Sequence, residues 1–363
     1  MSANDVATRD ASTLDRLLAE AKVVVVVGPG GVGKTTLAAA MAARAAIEHG
    51  RRALVVTVDP ARRLADALGV GESGAGGVAE VPMSVPLGPT ADHDGGAGAM
   101  WAVMVDMEQS WDRLVRRHAP DNATRDGLLD NELYQTLTTR FVQSHDYIAL
   151  DRLVDLADQD DYDLVVIDTP PSVHALDVLD APDRMLEFFG SRLLTWLTAP
   201  YRTRMVRVAA KPFLVVAERL LGGPFLEQIA EFFWLFSSLQ PGFARRARAV
   251  KRRLSDPDTR YVVVQTPEAV PRARGTELAA ELRRRGHPPA LTIVNRTLDP
   301  SVRALDDAAI DAIGHRTLRD AVRTLRDTAE ADAAAPAAIG PTHQVLWTAG
   351  SLVDASDLSA LFG

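Results

Sequence analysis

A hydrophobic run that passes directly into a glycine-rich loop restricts the folds open to this chain. The run is KVVVVV, from Lys22 to Val27, and the loop that follows is GPGGVGKTT. Five consecutive β-branched residues suit a strand that is buried on both faces, as strands of parallel sheets are. The alanine-rich sequence after Thr35 favours a helix. Strand, glycine turn and helix in this order predict an α/β fold.

The same alternation continues through most of the chain. Short runs rich in β-branched residues alternate with segments of helical pattern. The further strand candidates are ALVVTVD, WAVMVD, DYDLVVID, TRYVVVQ, PALTIV and HQVLW. Because parallel strands need crossover connections, this alternation predicts an open, mostly parallel sheet with helices on both faces.

Two long segments interrupt the alternation. Residues from about 107–160 have a mainly helical pattern, and residues 181–253 are helical and rich in apolar side chains. We expect residues 1–20 to form a polar lead that is partly helical at STLDRLLAEA. Residues 21–363 are expected to form one domain that carries an inserted helical subdomain, built from the two helical segments.

Composition argues against several classes of function. The chain has 363 residues, a net charge of −8 and no cysteine. The negative charge argues against a nucleic-acid partner, and the lack of cysteine excludes disulfides, thiolate metal sites and cysteine nucleophiles. The polar start MSANDVATRD has no apolar signal core, and no apolar run reaches the roughly 18 residues of a membrane span. We expect a cytoplasmic protein.

The glycine-rich loop fits a phosphate-binding pattern. Its residues satisfy G-x-x-x-x-G-K-[ST], and it stands between a strand and a helix as that pattern requires. Glycines let backbone N–H groups turn towards phosphate oxygens, and the helix adds the positive end of its dipole. The expected cofactors are ATP and Mg²⁺. The predicted nucleotide-binding residues of the loop are Gly28, Gly30, Gly31, Val32, Gly33, Lys34, Thr35 and Thr36.

Two carboxylates end predicted strands and are candidates for the same site. Asp168 ends DYDLVVID, where a metal-associated aspartate would lie beside a phosphate-binding loop. Asp59 ends ALVVTVD and is followed by Pro60. Each has a plainer interpretation, because Asp often ends a strand as a turn residue, and Asp before proline is a common helix start. For Asp59 both roles can hold at once.

Together these motifs resemble those of the arsenical-pump ATPase and tail-anchored-protein targeting ATPase family, part of the deviant Walker-A class of P-loop ATPases. The resemblance runs from Val23 to Asn295, with motifs in the family's order. GPGGVGKTT resembles the loop, DPARRLADALG switch I, DTPPSVHALDVLDAP switch II, and PEAV with TIVNRT the nucleotide-base region. The segments LYQTLTTRF and LLTWLTAP are most similar to an actinobacterial branch.

The resemblance implies how the chemistry is divided among the site residues. Asp59 would orient or deprotonate the attacking water, and Lys34 would contact the β- and γ-phosphates; these two are the candidate catalytic residues. The Thr35 hydroxyl would bind Mg²⁺, and Asp168 would hold metal-bound water beside it.

The resemblance also implies residues for switching and for base recognition. His174, with Asp59 and Asp168, would link the nucleotide state to a dimer interface. Asn295 would recognise adenine, a role that suits an amide because it offers both a donor and an acceptor. Taken alone, His174 and Asn295 are each more often structural residues.

The sequence departs from the family's pattern at three points. The family's zinc-bridged dimers and arsenite-binding pumps use cysteine, so we expect neither a zinc bridge nor cysteine-bound arsenite here. Arg62 stands in switch I where many relatives carry histidine, and Pro29 replaces a lysine that reaches across a dimer to the partner's nucleotide. Many ordinary phosphate loops carry proline at this place. The loop should therefore keep its shape and lack only the charge supplied in trans.

The second helical segment has an apolar face with two interpretations. Packing among the helices of the segment is the plainer one. A groove for an apolar helical client, as in the targeting relatives, is the alternative. The basic stretch ARRARAVKRRL that follows is typical of a solvated helix face, with an acidic partner or a membrane surface as the alternative. The residues that form the apolar face are Phe225, Ile229, Phe232, Phe236 and Leu239.

These features predict an ATPase whose nucleotide cycle opens and closes a dimer and so regulates a partner or moves a client-binding surface. An alternative is a weakly active, degenerate ATPase that serves as the regulatory subunit of a heterodimer. A partitioning-type ATPase is a third hypothesis, which the large helical insertion disfavours. The missing lysine leaves two dimers open: a homodimer, or a heterodimer with a sister ATPase that carries the lysine.

Overall fold

The computed structural model covers the loop, the sheet and most of the helical segments. Of the residues singled out in the sequence, Asp59, Arg62 and His174 lie outside the described residues. The described residues are 13–57, 83–87, 98–105, 107–135, 150–152, 154–169, 177–198, 215–216, 219, 222–334, 341–347 and 354–362.

The chain divides into two compact units. The first comprises Met1–Met104, Leu156–Leu176 and Pro257–Gly363. The second comprises Val105–Asp155 and Asp177–Asp256. The first unit contains every described strand, and the second contains helices among its described residues.

The described strands of the first unit form one sheet of eight strands. They are β1 (Val23–Val27), β2 (Arg52–Thr57), β3 (Met83–Val85), β4 (Ala99–Met104), β5 (Leu164–Asp168), β6 (Thr259–Gln265), β7 (Pro289–Thr297) and β8 (Thr342–Leu346). The strand order is β3-β4-β2-β5-β1-β6-β7-β8, and among these pairings only that of β3 with β4 is antiparallel. The mostly parallel α/β sheet expected from the sequence is confirmed, whereas the short edge strand β3, between glycine-rich stretches, was not expected.

In chain order the helices whose bounds are described are α1 (residues 13–20), α2 (Lys34–His49), α3 (Met107–His118), α4 (Asn122–Leu129), α5 (Asp177–Phe189), α6 (Arg192–Leu197), α7 (Gly223–Ser238), α8 (Gln240–Leu254), α9 (Ala269–Arg284), α10 (Pro300–Arg303), α11 (Asp307–Asp311), α12 (Arg316–Ala334) and α13 (Ala355–Ser359). Of these, α3 to α8 belong to the second unit and the others to the first. None of the helices within the described ranges is long and apolar enough to cross a membrane.

β1 and α2 form the centre of the first unit. Every valine of β1 is buried, as the unbroken β-branched run predicts. The alanines of α2 are buried too, because short side chains let a helix lie close against neighbouring elements. Residues 13–20, expected as part of a polar lead, form a helix whose Leu14 and Leu18 belong to this core.

The central strands end level with one another at the carboxyl edge of the sheet. Asp168, the last residue of β5, pairs in register with Val26 of β1 on one side and with Thr57 of β2 on the other. The glycine-rich loop leaves β1 at the same edge. In open parallel sheets ligands bind outside the carboxyl ends of the strands, so the register gathers the candidate residues where a ligand is expected.

An aromatic cluster fills the second unit. The ring of Phe236 on α7 stacks on Phe189 at 5.3 Å and on Phe232 at 5.7 Å between centroids, and lies 5.8 Å from Phe243. Phe232, Phe236 and Leu239 are all buried. Phe232 and Phe236 on α7, and Leu239 directly after it, therefore belong to the core of their own unit and do not line an open groove.

The other two residues of the predicted apolar face do not decide between a core and a groove. Ile229 is half-buried, and the side chain of Phe225 lies outside the described set. On the opposite side of the same helix, Trp234 is 38% exposed. The buried and exposed aromatic side chains of α7 thus provide a matched pair for testing the core.

The basic stretch of α8 is paired within its own unit. Arg246 forms ion pairs with Asp151 and Asp155, and Lys251 forms one with Asp183 at 2.7 Å. Burial raises the pKa of Asp151, and the charge of Arg246 opposes that shift. At Arg246 and Lys251, then, the basic stretch binds acidic side chains of the second unit.

Replacing Phe236 by Asp should unfold the second unit. The substitution buries a carboxylate among aromatic rings, at an expected cost of about 3–5 kcal/mol or more in free energy of unfolding. Trp234→Asp, on the more exposed side of the same helix, is the control and should cost clearly less than Phe236→Asp, because part of the Trp234 side chain already lies in water. Circular dichroism during thermal and urea unfolding measures both. A Phe236→Asp variant as stable as the wild type would mean that Phe236 lines an open surface.

Candidate phosphate and metal site

The backbone of the glycine-rich loop takes a shape that requires its glycines. Gly31 and Gly33 have φ angles of 79° and 91°, in the left-handed region that favours glycine. A Cβ added at Gly28 would lie 2.2 Å from the carbonyl oxygen of Val264 on β6. The motif glycines are therefore explained by backbone conformation and by close approach to the neighbouring strand.

The other predicted residues of the loop surround this backbone. Gly30 is exposed, whereas Val32 is buried and belongs to the hydrophobic core. Thr36 is half-buried in the first turn of α2. The start of α2 follows Gly33 directly, so the N-terminal end of its dipole faces the loop.

Lys34 lies within the loop. Its side chain is buried, and its Nζ donates to the carbonyl oxygens of Gly28 and Pro29, at 3.0 Å in each case. A buried ammonium group needs such acceptors or an anion. The Pro29 acceptor is a backbone carbonyl, a group that proline retains.

A hydroxyl and a carboxylate meet just behind the loop. Thr35 Oγ1 donates to Asp168 Oδ2 at 2.6 Å, and Thr57 Oγ1 donates to the same oxygen at 3.1 Å. Asp168 is 1% exposed. Magnesium prefers hydroxyl, carboxylate, phosphate and water oxygens, so the chemistry of this donor set fits Mg²⁺.

Two threonines near Asp168 were not among the residues predicted from the sequence. Thr57 ends β2 and contacts Asp168, while Thr169 Oγ1 donates to the carbonyl oxygen of Val26 on β1 at 2.7 Å. Both lie beside predicted strand ends, but a threonine there carries no pattern of its own. Knowledge that β5 lies between β2 and β1 would have been needed to select them.

Asn295 reaches the loop from the far end of β7. Its Nδ2 donates to the carbonyl oxygen of Val32 at 2.9 Å, and its Oδ1 accepts the backbone N–H of Arg296 at 2.9 Å. Thus the structure brings Asn295 together with the phosphate-loop residues and Asp168 at one edge of the sheet. Asp59 and His174 remain sequence predictions, because they lie outside the described residues.

The described side chains offer no dedicated metal cage. Among the described residues no group of three or more His, Cys, Asp and Glu side chains is placed to hold a metal ion. A magnesium ion at Thr35 and Asp168 would therefore take its further oxygens from a bound phosphate group or from water, as this ion commonly does.

Comparison with known families gives a match over most of the chain. The model of the anion-transporting ATPases matches residues 21–310. That span contains the loop, both carboxylate candidates and Asn295. The match confirms the family resemblance seen in the sequence.

Individual relatives share between 24% and 32% of their residues with this chain over the matched regions. A protein of Arabidopsis thaliana named ATPase GET3B is 24% identical over 76% of this chain, and the match covers 64% of its own length. ATPase ASNA1 homolog 1 of Paramecium tetraurelia is 25% identical over 45% of this chain and 44% of its own length. An uncharacterised protein of Streptomyces coelicolor is 32% identical over 56% of this chain and 45% of its own length. The chain thus spans less than two thirds of each of these relatives.

Replacing Lys34 by Ala tests whether the loop holds phosphate. Loss of one charge-assisted contact should raise the dissociation constant for Mg-ATP by about 10- to 100-fold. Isothermal titration calorimetry measures the change, with circular dichroism to confirm folding. Lys251→Ala, which removes an exposed lysine from α8, is the control and should bind as the wild type does. Unchanged affinity in Lys34→Ala would rule out this loop as the site.

Proposed function

We propose that this chain, which belongs to the anion-transporting ATPase family, binds Mg-ATP and hydrolyses it in a nucleotide-controlled dimer. The observation that carries the proposal is the 2.6 Å contact between Thr35 and Asp168, directly behind a loop that holds Lys34. This arrangement combines a phosphate-binding loop with a pair of oxygens suited to magnesium. Both are needed for phosphoryl transfer from ATP.

The chemistry asks the protein for positioning and electrostatic stabilisation more than for covalent steps. Magnesium, when bound, would neutralise charge on the phosphate oxygens. Thr35 would hold it and Asp168 would hold metal-bound water beside it, while Lys34 would exchange its contacts with the loop carbonyls for contacts with the β- and γ-phosphates. Asp59 would position the attacking water, in line with its place after β2.

The finer parts of the proposal concern recognition and switching. Asn295 would recognise adenine, and His174 would link the nucleotide state to the dimer interface. The second unit would be the inserted helical subdomain and would act on a partner or an apolar helical client in the cytoplasm. Since Phe232 and Phe236 are buried, a client surface would use exposed side chains such as Trp234 instead.

Pro29 makes the identity of the dimer partner important. Proline carries no charge, so a homodimer would lack at both nucleotides the cation that a lysine supplies in trans. A cation of this kind can change a rate by roughly 10³- to 10⁵-fold, as arginine fingers do. A heterodimer with a sister ATPase that keeps the lysine would restore the charge at the nucleotide of this chain.

The main alternative rests on the same proline. A degenerate ATPase would bind Mg-ATP through an intact loop, turn over little in any dimer, and regulate a partner through its bound state. A homodimer in which Arg62 supplies the missing charge is the other variant of the proposal. Turnover measurements separate these three cases.

Replacing Pro29 by Lys should raise the turnover of the isolated protein. The variant supplies the missing charge in a homodimer, and we expect an increase of at least about 10-fold in phosphate release, below the full effect of an arginine finger. Wild-type protein mixed with a co-purifying homologue that carries the lysine should be stimulated in the same way.

Asp59→Asn provides the control in both backgrounds. If the measured phosphate release comes from this site, turnover should fall by about 10²-fold or more, while ATP affinity is retained. Rapid turnover by the wild-type homodimer that Pro29→Lys leaves unchanged would refute the missing-charge proposal. Slow turnover under every condition would favour the degenerate ATPase.

A further inference from the structure

Strand β7 is irregular where it reaches the phosphate-binding loop. Val294 pairs with Gln344 of β8 and Thr297 pairs with Leu346, so two residues of β7 lie opposite one residue of β8. One of the two, Arg296, has a φ of 60°, which is uncommon for a residue other than glycine. Such bulges turn side chains in new directions and are frequent beside functional sites.

The other residue of the bulge, Asn295, is held between the strand and the loop. Its Oδ1 accepts the N–H of Arg296 and so supports the left-handed residue, while its Nδ2 donates to Val32 of the loop. A Cβ added at Gly33 would lie 2.5 Å from Nδ2. Glycine at position 33 is thus needed for its own backbone conformation and to leave room for the Asn295 amide.

The amide retains capacity beyond these two contacts. An asparagine side chain has two N–H donors and two acceptor lone pairs. Val32 takes one donor, and the N–H of Arg296 takes one lone pair. One donor and one acceptor remain, and a bidentate contact of asparagine with adenine uses one of each. Base recognition and the loop contact therefore do not compete for the same atoms.

We propose that Asn295 is a positioning residue of the phosphate-binding loop, and that it couples the base end of the nucleotide to the phosphate end. A base bound to the remaining amide atoms would fix the amide, and the fixed amide would hold the loop through Val32. The proposal rests on the nucleotide-binding function proposed above. It assigns Asn295 an effect on phosphate binding even when no base is present.

Inorganic tripolyphosphate is the ligand that tests this coupling, because it has phosphates and no base. Asn295→Ala removes the hydrogen bond to Val32, and we expect it to weaken Mg-tripolyphosphate by about 3- to 10-fold in calorimetry. Mg-ATP should weaken by a larger factor, because base contacts are lost as well. Gln344→Ala, which removes an exposed amide from the neighbouring strand, is the matched control and should leave both affinities unchanged.

Hydrogen exchange of the ligand-free protein provides a second measurement. The backbone amides of residues 32–34 should exchange faster in Asn295→Ala than in the wild type or Gln344→Ala. Asn295→Asp should resemble Asn295→Ala, because aspartate can still accept the N–H of Arg296 but cannot donate to Val32. This comparison assigns the effect to the loop contact and does not depend on any ligand.

The outcomes separate the coupling from the nucleotide site itself. If Asn295→Ala weakens Mg-ATP but leaves tripolyphosphate affinity and loop exchange as in the wild type, Asn295 recognises the base alone and the coupling is wrong. If wild-type protein binds neither Mg-ATP nor tripolyphosphate, the proposed nucleotide-binding function fails, and the coupling of base to phosphate fails with it. Loss of tripolyphosphate affinity together with faster loop exchange in Asn295→Ala supports the coupling.

Discussion

The buried carboxylate of Asp168 fixes the geometry on which the rest of the site depends. It ends β5 and accepts hydroxyl groups from Thr35 at the start of α2 and from Thr57 at the end of β2. A buried carboxylate oxygen is costly without donors, so these contacts favour one arrangement of the two strands and the helix. The phosphate-binding loop connects β1 to α2, and the start of α2 therefore determines where the loop ends. The same contacts place two oxygens where a magnesium ion would meet a bound triphosphate.

The loop itself is complete in the elements that the chain supplies to its own nucleotide. Left-handed glycines form its backbone, Lys34 lies within it, and Pro29 accepts a hydrogen bond from that lysine. Within the loop, the departure from the family's pattern is Pro29, where the resemblance implies a lysine directed at a partner's nucleotide. Under the proposed function, proline at this position would affect assembly and rate rather than the shape of the binding loop. A protein of this kind could keep its affinity for nucleotide while its turnover depends on what it pairs with.

Local sequence was sufficient to predict the loop and every described strand except β3, because these features leave strong periodic or motif signals. The β-branched run from Val23 to Val27 favoured a buried strand, and the spacing of Gly28, Gly33 and Lys34 is specific. Contacts between distant elements leave no such signal. The bond from Asn295 to the loop depends on a bulge in β7, and a bulge cannot be recognised from residue types alone.

The apolar face of α7 shows what helical periodicity in a sequence does not decide. Helical periodicity identifies which side chains share a face, but a groove for a client and a packed core produce the same period. The neighbours of Phe236 decide between them, and those neighbours come from other helices of the unit, including Phe189 of α5 and Phe243 of α8. Likewise, Thr57 could be recognised as a site residue only once the strand order was known.

The central claim is that Thr35 and Asp168 hold a magnesium ion beneath a triphosphate in this loop. The most direct test is the affinity for ATP, measured by calorimetry with and without Mg²⁺, in the wild type and in Thr35→Val, which replaces only the hydroxyl by a methyl group. We predict that Mg²⁺ tightens ATP binding to the wild type and that Thr35→Val loses most of this gain while keeping its magnesium-free affinity. An equal gain from Mg²⁺ in both proteins would contradict the assignment of the metal to this pair of residues.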